Sequence, residues 1–139
     1  MPAVTAHIPD LVGRGPVLDI LVGPSDALIG TLQKQNRSIP RPVSLSAMID
    51  TGAAATVINP SVTQALGLSP VGRTNMTTVS STAPIPTFLY DIGITFGTGV
   101  KVRSIRVIQA PLIGQHVQCL LGRDLLQHGI LIYLGQSSQ

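Results

Sequence analysis

Ala47-Met48-Ile49-Asp50-Thr51-Gly52-Ala53-Ala54-Ala55-Thr56-Val57-Ile58 is the stretch on which the fold turns. Upstream of it, Val43, Leu45, Ala47 and Ile49 alternate with Ser44, Ser46 and Met48, the period of a half-buried strand. That strand runs straight into Asp50-Thr51-Gly52, and Ala53 to Ile58 form a second apolar run. A carboxylate is thus placed where a buried strand ends in a tight turn. Gly52 lets the backbone fold sharply and approach a ligand closely, and the Thr51 hydroxyl can tie neighbouring backbone groups. Asp and Gly are also ordinary turn residues, so the tripeptide by itself reads equally as a plain turn.

Working outward, the same short rhythm continues. Pro16 to Val22 reads as a strand closed by Gly23-Pro24, and residues 1–15 as an N-terminal arm preceding a domain over residues 16–139. Ser25 to Arg41 is polar and reads as a long hairpin connection with short strand character from Ala27 to Leu32. Asn59-Pro60 is a helix start, with Asn capping and Pro at the first helical position, and Gly67 closes it after about two turns. Between Arg73 and Phe96 two strands face each other across Ser80, Ser81, Thr82 and Ala83. The apolar phase of Val100 to Ile108 slips from even to odd positions, which predicts a bulge near Ser104. Val117 to Gly122 leads into a second short helix, Arg123 to His128, and Ile130 to Leu134 reads as a last strand. The pattern is an all-β, barrel-like domain with two short helices.

Composition agrees and excludes several functions. Hydrophobic residues make up 44% of the 139 residues and charged ones 11%, so the chain can build a core from Val, Ile, Leu and Ala. The net charge of +3 reflects few acids rather than many bases, since the chain contains no Glu. Lys101, Arg103 and Arg106 are the nearest thing to a basic cluster, and no stripe of aromatics accompanies them, so nucleic acid is not an expected partner. The lone Cys119 sits in an apolar run as a small hydrophobe. His7, His116 and His128 have no ligand spacing, and neither a metal nor a cofactor is expected. No G-x-S-x-G elbow supports a serine hydrolase. No window is apolar enough to span a membrane, and no secretory signal opens the chain. The expected location is cytoplasmic, or that of a soluble domain from a larger protein whose anchor is absent here.

Two motifs together carry a family likeness. The segment from Ala47 to Ile58 resembles the active-site segment of retropepsin-like aspartic peptidases, in which an apolar strand enters D-[TS]-G-A and another leaves it. About seventy residues on, Leu120-Leu121-Gly122-Arg123-Asp124-Leu125-Leu126 is similar to that family's second signature, two apolar residues and a Gly before a short helix. The resemblance covers Pro16 to Leu134. It implies a closed β-barrel that works as a homodimer and cleaves peptide or protein substrates. Asp50 would be the catalytic acid/base, Thr51 would brace the pair across the subunits, and Gly52, followed by Ala53, would meet the substrate backbone. Ser80 to Ala83 would form the flap tip. Leu120, Leu121 and Gly122 would pack beneath the active-site loop, and Arg123, beside Asp124 at the helix start, would make a structural salt bridge or helix-start contact rather than bind substrate.

Asp50-Thr51-Gly52 occurs once, and Asp10, Asp19, Asp26, Asp91 and Asp124 lack the following Thr-Gly or Ser-Gly. A two-carboxylate mechanism therefore requires a second copy, and two-fold symmetry sets identical residues opposite each other. Ile130 to Leu134 and part of the first 22 residues are the expected dimer strands. Two departures from the family pattern stand out. Ala54 replaces the acid that usually follows D-T-G-A, so Arg123 needs another partner, and no Gly lies between Arg73 and Ile92 to loosen the flap. Those departures are the basis for the alternative of a catalytically inactive dimerisation or peptide-binding module on the same fold. An unrelated β-barrel binding domain is the third possibility, with the paired motifs as coincidence.

Overall fold

The computed structural model describes residues 2–139. Seven strands are hydrogen-bonded in the order β1-β2-β7-β3-β6-β5-β4, and β1 also pairs with β5. Those pairings close six strands into a barrel, and β4 hangs outside the ring on β5. In chain order the strands are β1 (Val17–Pro24), β2 (Val43–Ile49), β3 (Val57–Ile58), β4 (Gly72–Met76), β5 (Ile85–Phe96), β6 (Lys101–Gln109) and β7 (Cys119–Leu121). The all-β barrel expected from the sequence is present.

Alternation explains the closure. On β5, Tyr90, Ile92 and Ile94 point inward and are buried, joined by Ile20 and Val22 from β1, Leu45 and Ala47 from β2, Ile58, Val107, Cys119 and Leu121. Each such large aliphatic residue contributes about 1.5–3 kcal/mol by leaving water. With twelve residues, β5 is long enough to serve three partners: β4 along its first half, β1 along its second, and β6 through most of its length. The expected bulge is there. Ile92 pairs with Ile105 and Ile94 with Val102, so Arg103 and Ser104 together oppose Gly93.

Both expected helices form, as α3 (Pro60–Ala65) and α4 (Arg123–Leu126), but they are not alone. Residues Leu11–Arg14 make one helical turn, α1, with Leu11 buried, and Ile8 is buried as well, its N–H donating to the Ser138 carbonyl. The hairpin connection expected over Ser25 to Arg41 is instead a nine-residue helix, α2 (Asp26–Lys34). Its signals are local ones. Ser25 caps the N-terminus by accepting from the Leu28 N–H, Asp26 and Lys34 complement the dipole, and Leu32 is buried.

The last expected strand is also absent. Ile130 to Leu134 carries no ladder pairing and is exposed along its whole length, from 45% at Leu131 to 84% at Ile130. A strand needs a neighbour to accept its backbone bonds, and one chain supplies none there. The chain then ends in a 3-10 turn, Gly135–Ser137.

Candidate active site

Asp50 stands at the end of β2, where parallel pairing to β7 fixes its height. Ile49 is in register with Leu121, and the Asp50 N–H donates to the Leu121 carbonyl at 3.0 Å. The chain then turns. The Asp50 carbonyl accepts from Ala53 N–H at 3.2 Å, while its carboxylate Oδ1 accepts from Gly52 N–H at 2.9 Å. One carboxylate oxygen is thereby aimed by its own turn. A Cβ at Gly52 would lie 3.1 Å from that oxygen, tighter than ordinary contact, so glycine keeps the approach open. Asp50 is half-exposed, and Thr51 and Gly52 are exposed beside it.

What holds the loop comes from the second motif. Gly122 sits against it so closely that a Cβ there would be 2.5 Å from the Ala55 carbonyl carbon and 2.6 Å from its oxygen. That contact lets α4 start directly beneath the loop. Arg123 N–H donates to the Ala53 carbonyl at 2.9 Å, Asp124 N–H to the Ala54 carbonyl at 3.2 Å, and Arg123 Nη1 to the Thr51 carbonyl at 2.8 Å. The partner that Arg123 needs in the absence of an acid at 54 is therefore a main-chain oxygen.

Thr56 was not singled out from the sequence, yet it is the centre of this support. It is fully buried. Its hydroxyl donates to Asp124 Oδ1 at 2.7 Å and accepts from Gly122 N–H at 3.1 Å, while its own N–H donates to Asp124 Oδ2 at 2.9 Å. Leu125 N–H completes the carboxylate's set at 2.8 Å. The available signal was a polar residue in phase with Ile58 inside an apolar run, which is acceptable in a core only when its hydroxyl is satisfied. Leu121 is buried and Leu120 half-buried. Burial pushes the neighbouring Cys119 thiol up to about 12, with the Asp124 charge adding to the rise.

The flap candidates lie on the connection between β4 and β5, which pair antiparallel from Gly72↔Leu89 to Met76↔Ile85. The turn itself, Thr78 to Ser81, is two residues earlier than the expected Ser80 to Ala83. Ser81 N–H donates to the Thr78 carbonyl at 3.1 Å, and Ser81 Oγ accepts from Thr78 N–H at 2.8 Å. Val79 and Ser80 thus form the tip, with Val79 fully exposed, whereas Thr82 and Ala83 belong to the stretch leading back into β5. Among the described residues, no three His, Cys, Asp or Glu side chains gather as a metal site.

With this geometry in hand, comparison with known proteins is decisive at the family level. The family model described as "gag-polyprotein putative aspartyl protease" matches residues 41–128, which include both motifs and the hairpin. The chain belongs to this family. Among solved structures, the EIAV protease complexed with the inhibitor HBY-793 matches with a TM-score of 0.54 at 21% identity, over 91% of this chain and 99% of that one. The foamy viral protease-reverse transcriptase in complex with an RNA/DNA hybrid matches with a TM-score of 0.54 at 17% identity, over 86% of this chain but 13% of that one. At these identities the likeness is one of fold. No curated protein sequence matches significantly. Membership in an aspartyl protease family accords with the retropepsin-like reading of both motifs, and it gives the Asp50 loop a chemical context that its geometry alone lacks.

Proposed function

We propose that the protein is an aspartic endopeptidase in which Asp50 and the same residue of a second copy share one proton across a two-fold axis. The observation that carries this reading is the half-exposed Asp50 carboxylate on a turn braced by Gly52, Arg123 and the Thr56–Asp124 pair, in a chain with a single Asp-Thr-Gly. Two carboxylates at hydrogen-bond distance cannot both ionise, so one serves as base and the other as acid. The ionised carboxylate takes a proton from water, whose oxygen attacks the scissile carbonyl carbon, while the protonated carboxyl gives its proton to the carbonyl oxygen. The tetrahedral intermediate then collapses: the C–N bond breaks, the leaving nitrogen takes the proton that water gave to the first carboxylate, and a hydroxyl of the intermediate returns its proton to the other carboxylate, so that the dyad again holds one proton.

A second copy is also supported from the other end of the chain. Ile130, Leu131, Ile132, Tyr133 and Leu134 form a continuous apolar run in water, an arrangement a stable monomer has reason to avoid. Pairing with a symmetry mate would supply the ladder partner this segment lacks. Substrate would lie extended between the β4–β5 hairpin and the 50–56 loop, held by main-chain hydrogen bonds with alternate side chains in pockets. Thr51 would brace the pair of loops across the axis, and Gly52 would admit the substrate backbone.

The test compares wild type with Asp50→Asn on a peptide library from acid to neutral pH. Cleavage by wild type alone, strongest below neutrality, is the expected outcome; equal cleavage by both overturns the reading. Pro84 and Pro86, with no Gly between Arg73 and Ile92, stiffen the flap and favour a second reading, a module that binds peptides without cutting them. Peptide binding without cleavage by either protein supports that one.

A further inference from the structure

We propose that the groove between α2 and the root of the β4–β5 hairpin is a docking site for an extended, apolar peptide segment that carries an acidic side chain. The groove encloses about 430 Å³, within the range of about 300–1,000 Å³ typical of ligand sites. None of its lining residues belongs to the Asp50 loop, to the hairpin tip or to Ile130–Leu134. Neither the dyad nor the dimer contact proposed above uses it, and docking there does not depend on cleavage.

The helix that the sequence did not announce builds one wall. Leu32 of α2 is buried and anchors the helix, while Leu28 lines the groove half-buried. Leu68, Pro70 and Val71, which lead from α3 into β4, form the opposite wall. Val71 stays 48% exposed although its N–H is fixed to the Leu89 carbonyl at 2.8 Å. Pro40 and Pro70 have their φ angles set by their own rings, so the walls keep their shape without a ligand and little ordering is needed on binding.

The charges decide what the groove takes. Asp91 lines it, but Arg106 bridges that carboxylate at 2.9 and 3.1 Å. Two lining hydroxyls are spent inside α2: Ser25 accepts from Leu28 N–H, and Thr31 donates to the Ala27 carbonyl. Arg37 is exposed, and its guanidinium makes a single 3.4 Å bond, to Gln35 Oε1. Among the described residues, no ion pair involves Arg37 or its exposed neighbours in sequence, Lys34 and Arg41. The sequence holds no acid from Ala27 to Ile49 that could serve them. A carboxylate on the docked segment would meet a planar fork with donors to spare, and the flanking positive charge would guide its approach.

The test measures fluorescence anisotropy of labelled hexapeptides in which Leu and Pro alternate with Glu, against the same peptides carrying Gln. Wild type should bind the Glu peptides roughly two- to fivefold more tightly, the range of an exposed charge pair, and added salt should shrink the ratio. Arg37→Gln should bring the ratio to about one. Ser69→Tyr, which places a ring in the groove from an exposed lining position, should weaken both peptides at least tenfold, and Asp50→Asn should bind as wild type does. The inference is overturned by an equal affinity of wild type for Glu and Gln peptides, or by no binding at all. Binding that survives Ser69→Tyr but is lost in Asp50→Asn would put the peptide in the Asp50 cleft and also overturn it. Self-association that Ser69→Tyr abolishes, with no peptide bound, would give the groove to a second copy instead. None of these outcomes bears on whether the protein cleaves peptides.

Discussion

Thr56→Val isolates the buried polar knot beneath the Asp50 loop. The substitution keeps the side-chain shape and removes one hydroxyl. Two bonds go with it: the 2.7 Å bond to Asp124 Oδ1, and the 3.1 Å bond that satisfies Gly122 N–H. A hydrogen bond to a charged group is worth about 1.5–3 kcal/mol, and an orphaned buried N–H costs about 1–3 kcal/mol. The new methyl recovers about 0.8 kcal/mol of apolar transfer. The net loss is about 3 kcal/mol. With a urea slope of about 1.5 kcal/mol/M the midpoint should fall by about 2 M. The chain has no Trp, so far-UV circular dichroism is the signal to follow, at one fixed subunit concentration because dimerisation would add to apparent stability. A midpoint shift under about 0.5 M would show that the knot is not what holds the loop.

Three further outcomes follow from neighbouring features. Gly122→Ala should express as insoluble or strongly destabilised protein, since its Cβ would meet Ala55 backbone at 2.5 Å with no side chain to swing away; a wild-type thermal midpoint contradicts that packing. Cys119, with its thiol pushed up to about 12 by burial and by Asp124, should resist thiol reagents at pH 8 until urea unfolds the chain. The raised value stabilises the fold fully below the ordinary thiol range, and that contribution should fade as pH climbs towards about 12. Ile132→Asp should shift sedimentation from dimer to monomer without changing the circular dichroism spectrum, because the side chain is exposed within one chain; an unchanged dimer would exclude this segment from the interface.

The barrel was legible because its signals are local and periodic. The alternation through Val43 to Ile49, the phase slip at Ser104 and the Asn59-Pro60 cap each report a backbone state directly. Where expectation and structure part, context decides. The Ser25 cap and the acid at Asp26 announce α2, but Gly30 is a poor helix former in mid-segment and the surrounding prolines suggest a loop. Ile130 to Leu134 has the composition of a strand and lacks a partner in its own chain, so propensity alone cannot make it one. At the site, the Asp50 turn could be read from three residues, whereas the Thr56–Asp124 pairing joins positions 68 apart in sequence and leaves no local trace. The β4–β5 hairpin turn falls two residues early because a Ser81 side chain, rather than a glycine, closes it.

The most direct test of a shared dyad is to mix wild type with Asp50→Asn at constant total protein, well above the dimer dissociation constant and after subunit exchange. If every active site needs an Asp50 from each copy, activity scales with the square of the wild-type fraction, and an equal mixture retains about one quarter of the wild-type rate. A residual of about one half would mean that each chain works with its own carboxylate alone, and the two-copy mechanism would be wrong.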